Sequence, residues 1–173
     1  MTPRGRATRP TADRVREAVF SILGPLEGVD ALDLFAGSGA LGIEALSRGA
    51  ATATLVERAP AALAAIRANL AALGLEDRAR VVAGDWRRAV AAERAAGRAY
   101  GLCLLDPPYS LLPRLADDLA TALVPLLAPG AALVIEGSAR APILPEPLTL
   151  PIASRTDRTY GDTAVAVLRM EGP

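Results

Sequence analysis

Three features of the 173-residue sequence predict an α/β fold, a mostly parallel sheet with helices on both faces and an antiparallel hairpin at its end. Strand-like and helix-like segments alternate five times. The strand-like runs are short and almost unbroken in their apolar character, as strands buried on both faces are. The tail then breaks the alternation, with two strand-like runs and no helix between them. Together these give seven strands in a single domain spanning residues 1–173.

The elements follow in order. Thr11 to Leu23 reads as a helix because Val15, Val19, Ile22 and Leu23 repeat on one face, and Gly24-Pro25 stops it. Ala31-Leu-Asp-Leu-Phe-Ala is an apolar run entering a glycine turn, and Ala40 to Ser47 continues as helix. Ala51 to Val56 is a second strand, ended by Glu57. Pro60 to Leu73 is an Ala-rich helix with Pro at its first position and Gly74 just past its last. Arg80 to Ala83 is a third strand leading to Gly84-Asp85-Trp86, and Arg87 to Ala96 is helical. Leu102 to Leu105 is a fourth strand, stopped by Asp106-Pro107-Pro108-Tyr109. Pro113 to Leu127 reads as a helix closed by Pro129-Gly130, and Ala131 to Ile135 as a fifth strand. Leu148 to Ala153 and Thr163 to Met170 are predicted to pair across a loop from Ser154 to Asp162.

Composition removes several chemistries. There is no histidine and one cysteine, which excludes Ser-His-Asp and Cys-His catalysis, an ordinary zinc site and an internal disulfide. No metal is expected. No apolar run reaches the ~20 residues of a membrane-spanning helix, and the start lacks a secretory apolar stretch, so a cytoplasmic protein is expected. Basic and acidic residues number 19 each, so net charge announces no polyanion partner. Every basic residue is arginine. Residues 1–16 nevertheless hold Arg4, Arg6, Arg9, Arg14 and Arg16 against Asp13 alone, a local block suited to phosphates or simply to solvent.

Ligands of open α/β sheets bind beyond the carboxyl ends of the strands, and three segments there carry chemistry. Asp33-Leu-Phe35-Ala-Gly37-Ser-Gly39-Ala-Leu-Gly42 holds a G-x-G-x-x-G between strand and helix, and Glu57 follows 20 residues after Gly37. The glycines admit a ligand close to the backbone, and the acid can accept from both hydroxyls of a ribose. That arithmetic suits any adenosine cofactor, NAD included. Asp33 separates them, because a carboxylate before the loop repels a pyrophosphate and favours the sulfonium or ammonium of S-adenosylmethionine. Gly84-Asp85-Trp86 places a second acceptor where an adenine amine would lie, with Trp86 packing nearby. In Asp106-Pro107-Pro108-Tyr109, the prolines remove two N–H donors and fix the backbone. Asp106 and the Pro107 carbonyl are then acceptors for an exocyclic amine, with Tyr109 stacking on the base. Each segment also has a bland reading as a tight or proline-stiffened turn. Cys103, inside the fourth strand, reads as core.

These residues resemble the class I S-adenosylmethionine-dependent methyltransferases that modify base amines, with a Rossmann-like fold. Arg9-Pro10-Thr11-Ala-Asp13-Arg14-Val15-Arg16-Glu17 and Arg158-Thr-Tyr160-Gly161-Asp162-Thr163 narrow the resemblance to the RsmD family, the 16S rRNA guanine-N2 methyltransferases. The resemblance implies S-adenosylmethionine as cofactor and the guanine at position 966 of 16S rRNA as target, in free rRNA or a small-subunit assembly intermediate. It also implies phosphate and substrate contacts from Arg9, Thr11, Arg14, Arg16, Arg155, Arg158 and Tyr160. Members of that family begin with a longer basic hairpin, of which residues 1–10 here look like a shortened form. Nothing requires more than a monomer. Adenine-N6 methylation is the nearest rival reading, followed by an NAD-dependent dehydrogenase and a non-catalytic RNA-binding module.

Overall fold

The computed structural model describes residues 10–108, 119–141, 143 and 150–172. Helices α1 (Pro10–Leu23), α2 (Ala40–Ser47), α3 (Pro60–Leu73) and α4 (Trp86–Ala95) surround one sheet. Its strands are β1 (Asp30–Asp33), β2 (Thr52–Glu57), β3 (Ala79–Ala83), β4 (Tyr100–Leu105), β5 (Leu127–Ser138), β6 (Ile152–Tyr160) and β7 (Thr163–Met170). They lie in the order β3-β2-β1-β4-β5-β7-β6. The first five are parallel and β7 is antiparallel to both β5 and β6. The chain winds outward from β1 to β3, then returns to lay β4 on the other side of β1. This reversal opens the crevice in which such sheets hold ligands.

Strand alternation divides the core into two layers. Ala31, Leu55, Leu102, Leu104, Val134, Val165 and Val167 face α1 and α2, where Val15, Val19, Phe20, Leu23, Ala45 and Leu46 meet them. Leu32, Val56, Cys103, Leu105, Leu133 and Ile135 face the other way, onto Trp86, Ala89 and Val90 of α4 and onto Leu123 and Leu126. Cys103 is fully buried, and that burial pushes its thiol far up, so it is a core residue and no nucleophile. Arg169 donates to the Leu23 carbonyl at 2.7 Å, fastening the last turn of α1 to the end of β7. Among the described residues no helix is long and apolar enough to cross a membrane.

Two expected boundaries are corrected. Ser154 to Tyr160 is strand, hydrogen-bonded to β7 from Ile152 opposite Met170 to Tyr160 opposite Thr163. The loop shrinks to Gly161-Asp162, with glycine at φ 60° in the first position. This strand is outermost and mostly exposed, so polar residues occupy both of its faces and no hydropathy alternation marks it. The predicted 113–127 helix falls partly outside the described residues. Its described end is a π-type turn, Leu119–Leu123, and a 3-10 turn, Val124–Leu126, after which β5 already begins at Leu127. Pro129-Gly130 therefore lies within β5, where the register against β4 shifts between Tyr100 and Leu102. A strand tolerates proline at such an irregularity.

A polar knot braces the lower half of the sheet. Glu93, 4% exposed, accepts from Arg80 and from the Tyr100 hydroxyl at 2.6 Å, and is ion-paired with Arg98 at 3.3 Å. The Tyr100 hydroxyl also lies 3.1 Å from the Thr54 hydroxyl. Arg80 and the Tyr100 hydroxyl hold the Glu93 carboxyl below its ordinary range despite burial. Removing Glu93 leaves the buried Tyr100 hydroxyl short of a partner, while the part-exposed Arg80 and Arg98 remain solvated. Glu93→Ala should lower the free energy of unfolding by about 1–2 kcal/mol, read from urea titration at neutral pH.

Candidate active site

The glycine loop begins where β1 ends. Leu34 N–H donates to the Leu104 carbonyl at 3.1 Å and Ala36 N–H to the Val56 carbonyl at 3.1 Å, so the chain stays bonded to both neighbouring strands as it leaves the sheet. Gly37 and Gly39 then take φ of 56° and 85°, conformations side chains rarely adopt. Gly42 is needed for a different reason. A Cβ there would lie 3.0 Å from Leu55 Cδ2 and 3.3 Å from Asp33 Oδ2, so a larger residue would press on both side chains where α2 approaches the sheet. Asn69 Nδ2 on α3 donates to the Ser38 carbonyl at 3.0 Å, a brace no motif signalled.

The two ends of the Gly37-to-Glu57 spacing meet in the fold. Glu57 Oε2 accepts from Gly37 N–H at 2.9 Å, while Oε1 accepts from Arg58 and Ala59 N–H at 2.7 and 2.8 Å. Three backbone donors thus fix the carboxylate at the end of β2. A carboxylate has about four lone-pair sites, so acceptor capacity remains on Oε2.

Asp33 is 1% exposed. Its Oδ2 accepts from Gly42 N–H at 3.0 Å, in the first turn of α2, and its Oδ1 has no hydrogen-bond partner among the described residues. Burial pushes the carboxyl up to about 7, opposed by the Gly42 hydrogen bond and reinforced by the charges of Asp106 and Glu57. At that depth Asp33 reaches a ligand through its field and through the loop it holds. The folded value lies above the ordinary 3.8, so ionisation costs the fold nothing below pH 3.8 and the full amount above about 7. Asp33→Asn keeps an acceptor for Gly42 and removes that cost. The variant should be more stable than the parent at pH 8, and the gap should close as the pH falls toward 4, measured by urea midpoints across that range.

Asp85 caps α4 through Oδ1, which accepts from Arg87 N–H at 2.9 Å, and Gly84 N–H donates to the Glu57 carbonyl at 2.9 Å. The third strand end is thereby tied to the second. Trp86, expected beside a cofactor, is a core residue at 5% exposure. The hydrophobic face of α4 carries it inward, and its ring lies 6.1 Å from that of half-buried Phe35. Phe35 is therefore the aromatic surface of this loop, and Trp86 supports it.

Across the reversal point, Asp106 is exposed, Pro107 buried and Pro108 exposed. Tyr109 and Arg9 lie outside the described residues, as does the Thr11 side chain. Beside Asp106 stands a residue that sequence reading passed over. Leu105 pairs with Ile135, so the next residue on each strand, Asp106 and Glu136, are neighbours. Burial and the Asp106 charge push Glu136 up to about 7. No motif contains Glu136; only strand register reveals it. By alternation Asp33, Glu57, Asp106 and Glu136 share the α1/α2 face at one end of the sheet. Asp33 and Glu57 flank the glycine cradle, one with a buried oxygen that no described residue matches, and together they repel a pyrophosphate and favour a positive charge.

The arginines expected to meet phosphate differ in their engagements. Arg14 is exposed. Arg16 is paired to Asp13 at 3.2 Å and to Glu44 at 3.5 Å. Arg155 binds Asp157 through two contacts of 3.0 and 2.9 Å, and Arg158 donates to the Asp157 carbonyl at 2.9 Å. Tyr160, half-buried, packs on the α1/α2 layer next to the Gly161-Asp162 turn. Ser138 pairs with Thr163, which brings that turn to the same edge of the sheet as Glu136. Arg140 bridges the two loops by its contact with Asp162 at 3.1 Å. Among the described residues no acidic or sulfur cluster could hold a metal ion.

Comparison with known proteins places this arrangement. A family model described as Conserved hypothetical protein 95 matches residues 1–169. YlbH of Bacillus subtilis (strain 168), provisionally named an rRNA methyltransferase, is 37% identical over 174 aligned positions, covering 97% of this chain and 91% of its own. Ribosomal RNA small subunit methyltransferase D of Escherichia coli (strain K12) is 46% identical over 109 positions, 62% of this chain and 52% of its own. The solved structure of the Escherichia coli protein yhhF, provisionally named a methyltransferase, superposes with a TM-score of 0.78 at 31% identity, over 100% of this chain and 92% of its own.

Proposed function

The chain belongs to the Conserved hypothetical protein 95 family, the RsmD methyltransferases, and from that premise we propose that it methylates the N2 amine of a guanine in 16S rRNA. It is an S-adenosylmethionine-dependent methyltransferase with the class I fold. The target base, the docking surface and the roles of individual residues are our reading. One observation carries it most. The acid-lined glycine loop after β1 and the Asp106-Pro107-Pro108 turn after β4 adjoin across the sheet's reversal point, joined by the bond from Leu34 N–H to the Leu104 carbonyl.

The cofactor supplies, when bound, an electrophilic methyl group on a cationic sulfur and leaves as S-adenosylhomocysteine. Glu57 accepts from the ribose hydroxyls with the lone pairs its three backbone donors leave free. Gly37 and Gly39 let the ligand lie on the backbone, and Phe35, supported by Trp86, gives it an apolar wall. Asp85 accepts from the adenine amine. Asp33 favours the positive charge through its field and keeps the loop on α2. Asp106 and the Pro107 carbonyl accept the two hydrogens of the guanine amine, which favours a pyramidal nitrogen with its lone pair turned to the methyl. Pro108 stiffens that turn and Tyr109 stacks on the base. The nitrogen sheds one proton as the new C–N bond forms, and Asp106 or water takes it. Holding the amine near attack distance supplies much of the acceleration.

An unpaired loop nucleotide of rRNA, or of an assembling small subunit, is the base that enters with least cost. Arg14, Arg16, Arg158 and Tyr160, on the α1/α2 side, are proposed to dock the RNA together with Arg9 and Thr11, and Arg155, opposite Leu168, would meet phosphate from the other side of the edge strand. The existing ion pairs of Arg16 and Arg155 must open or share their charge when phosphate arrives. We place the protein in the cytoplasm, acting as a monomer without metal. The test is incubation with labelled cofactor and small-subunit particles lacking the modification. Nucleoside analysis should return N2-methylguanosine; N6-methyladenosine would move the reading to the adenine enzymes, and no transfer would remove it.

A further inference from the structure

The Asp-Pro-Pro turn accepts an amine from guanine or adenine alike, so base choice must come from its surroundings. Among the described residues, Glu136 is the polar group beside it on β5. Adjacent strands lie about 4.8 Å apart, and Glu136 follows Ile135 as Asp106 follows Leu105. By alternation both carboxylates return to the face of Leu104 and Val134. Beyond Glu136 the same row continues to Val165 on β7, which is buried and apolar, and then to Arg158 on β6. Asp106 is thus the charge that bears on Glu136, and Arg158 stands two strands away.

The base edge discriminates at the same point. In guanine the atom next to the N2 amine is N1–H, a donor. In adenine the atom next to the N6 amine is N1, a bare acceptor. Resting on the function proposed above, we propose that Glu136 determines base specificity by accepting the N1–H of the target guanine while Asp106 accepts from its N2 amine. The row spacing suits two acceptors for two adjacent donors, and an ionised carboxylate facing adenine N1 sets lone pair against lone pair. Hydrogen bonds to a charged partner contribute about 1.5–3 kcal/mol, or roughly 10- to 150-fold.

The test uses the full chain and small-subunit particles rebuilt with rRNA carrying either guanine or 2-aminopurine at the target position. 2-Aminopurine keeps the N2 amine but presents an acceptor at N1. At pH 8.5, where Glu136 is ionised, the parent protein should favour guanine by at least about 30-fold in kcat/KM. Glu136→Ala, which removes the acceptor, should lose most of its rate on guanine, hold or raise its rate on 2-aminopurine, and so collapse the ratio. Glu136→Asp should restore part of it, and cofactor affinity should hold within threefold in both variants. An equal loss on the two bases, or an unchanged ratio, overturns the assignment, as does a parent protein that does not discriminate. The last measurement needs no variant to fold. Failure of the parent on guanine itself would instead overturn the function proposed above, and this inference with it.

Discussion

Asp106→Ala should abolish methyl transfer, with a loss of about 10³-fold or more, while the protein still binds its cofactor with affinity unchanged to within threefold. The aromatic amine is a poor nucleophile because its lone pair is delocalised into the ring. An acceptor aimed at the charge that develops on its N–H groups is worth about 10²–10³-fold, and Asp106 is also the proposed receiver of the proton. Cofactor binding is proposed to rest on the loop after β1 and on Glu57, whose carboxylate is fixed by Gly37, Arg58 and Ala59. The substitution has a second signature. Because the Asp106 charge helps push both Asp33 and Glu136 up, its removal should let both ionise at lower pH, visible in carboxyl titration by NMR. Single-turnover transfer within tenfold of the parent would show the amine clamp to be misplaced.

Glu57→Ala is expected to cost at least about 10²-fold in cofactor affinity. Two hydroxyl donors to one carboxylate are worth about 1.5–3 kcal/mol each, and the same side chain orders the loop by accepting from Gly37, Arg58 and Ala59. Isothermal titration should show the weakened binding, with maximal turnover partly recovered at saturating cofactor. The stability loss should stay near 1 kcal/mol, since Arg58 and Ala59 are exposed and water replaces their partner. An affinity within threefold of the parent would remove Glu57 from the ribose.

Where sequence reading succeeded, local chemistry was decisive. The glycines of residues 37–42 need backbone freedom and close approach, and no neighbour alters that need. Proline at the start of α3 and Gly74 past its end mark that helix from within the chain. The position of Glu57 at the end of β2, against Gly37, was legible because that distance is fixed by one helix and two turns. Glu136 was illegible for the opposite reason. Its meaning comes from lying beside Asp106, and that depends on how two segments 30 residues apart align. Trp86 misled because a residue after a strand end was assumed to face the ligand, whereas it opens α4 and follows that helix's buried side. The strand at 152–160 hid because a border strand buries too little to leave a pattern.

That border strand bears on how the protein behaves in a crowded solution. With equal numbers of acidic and basic residues, the molecule has little overall repulsion to keep copies apart. An unpaired strand is a template on which another chain can grow. Here any newcomer would have to strip water from Arg155, Asp157 and Arg158, and fit a strand whose register slips between Ile152 and Ser154. At this edge of the sheet, stacking of another chain is opposed by the same arginines the RNA is proposed to meet.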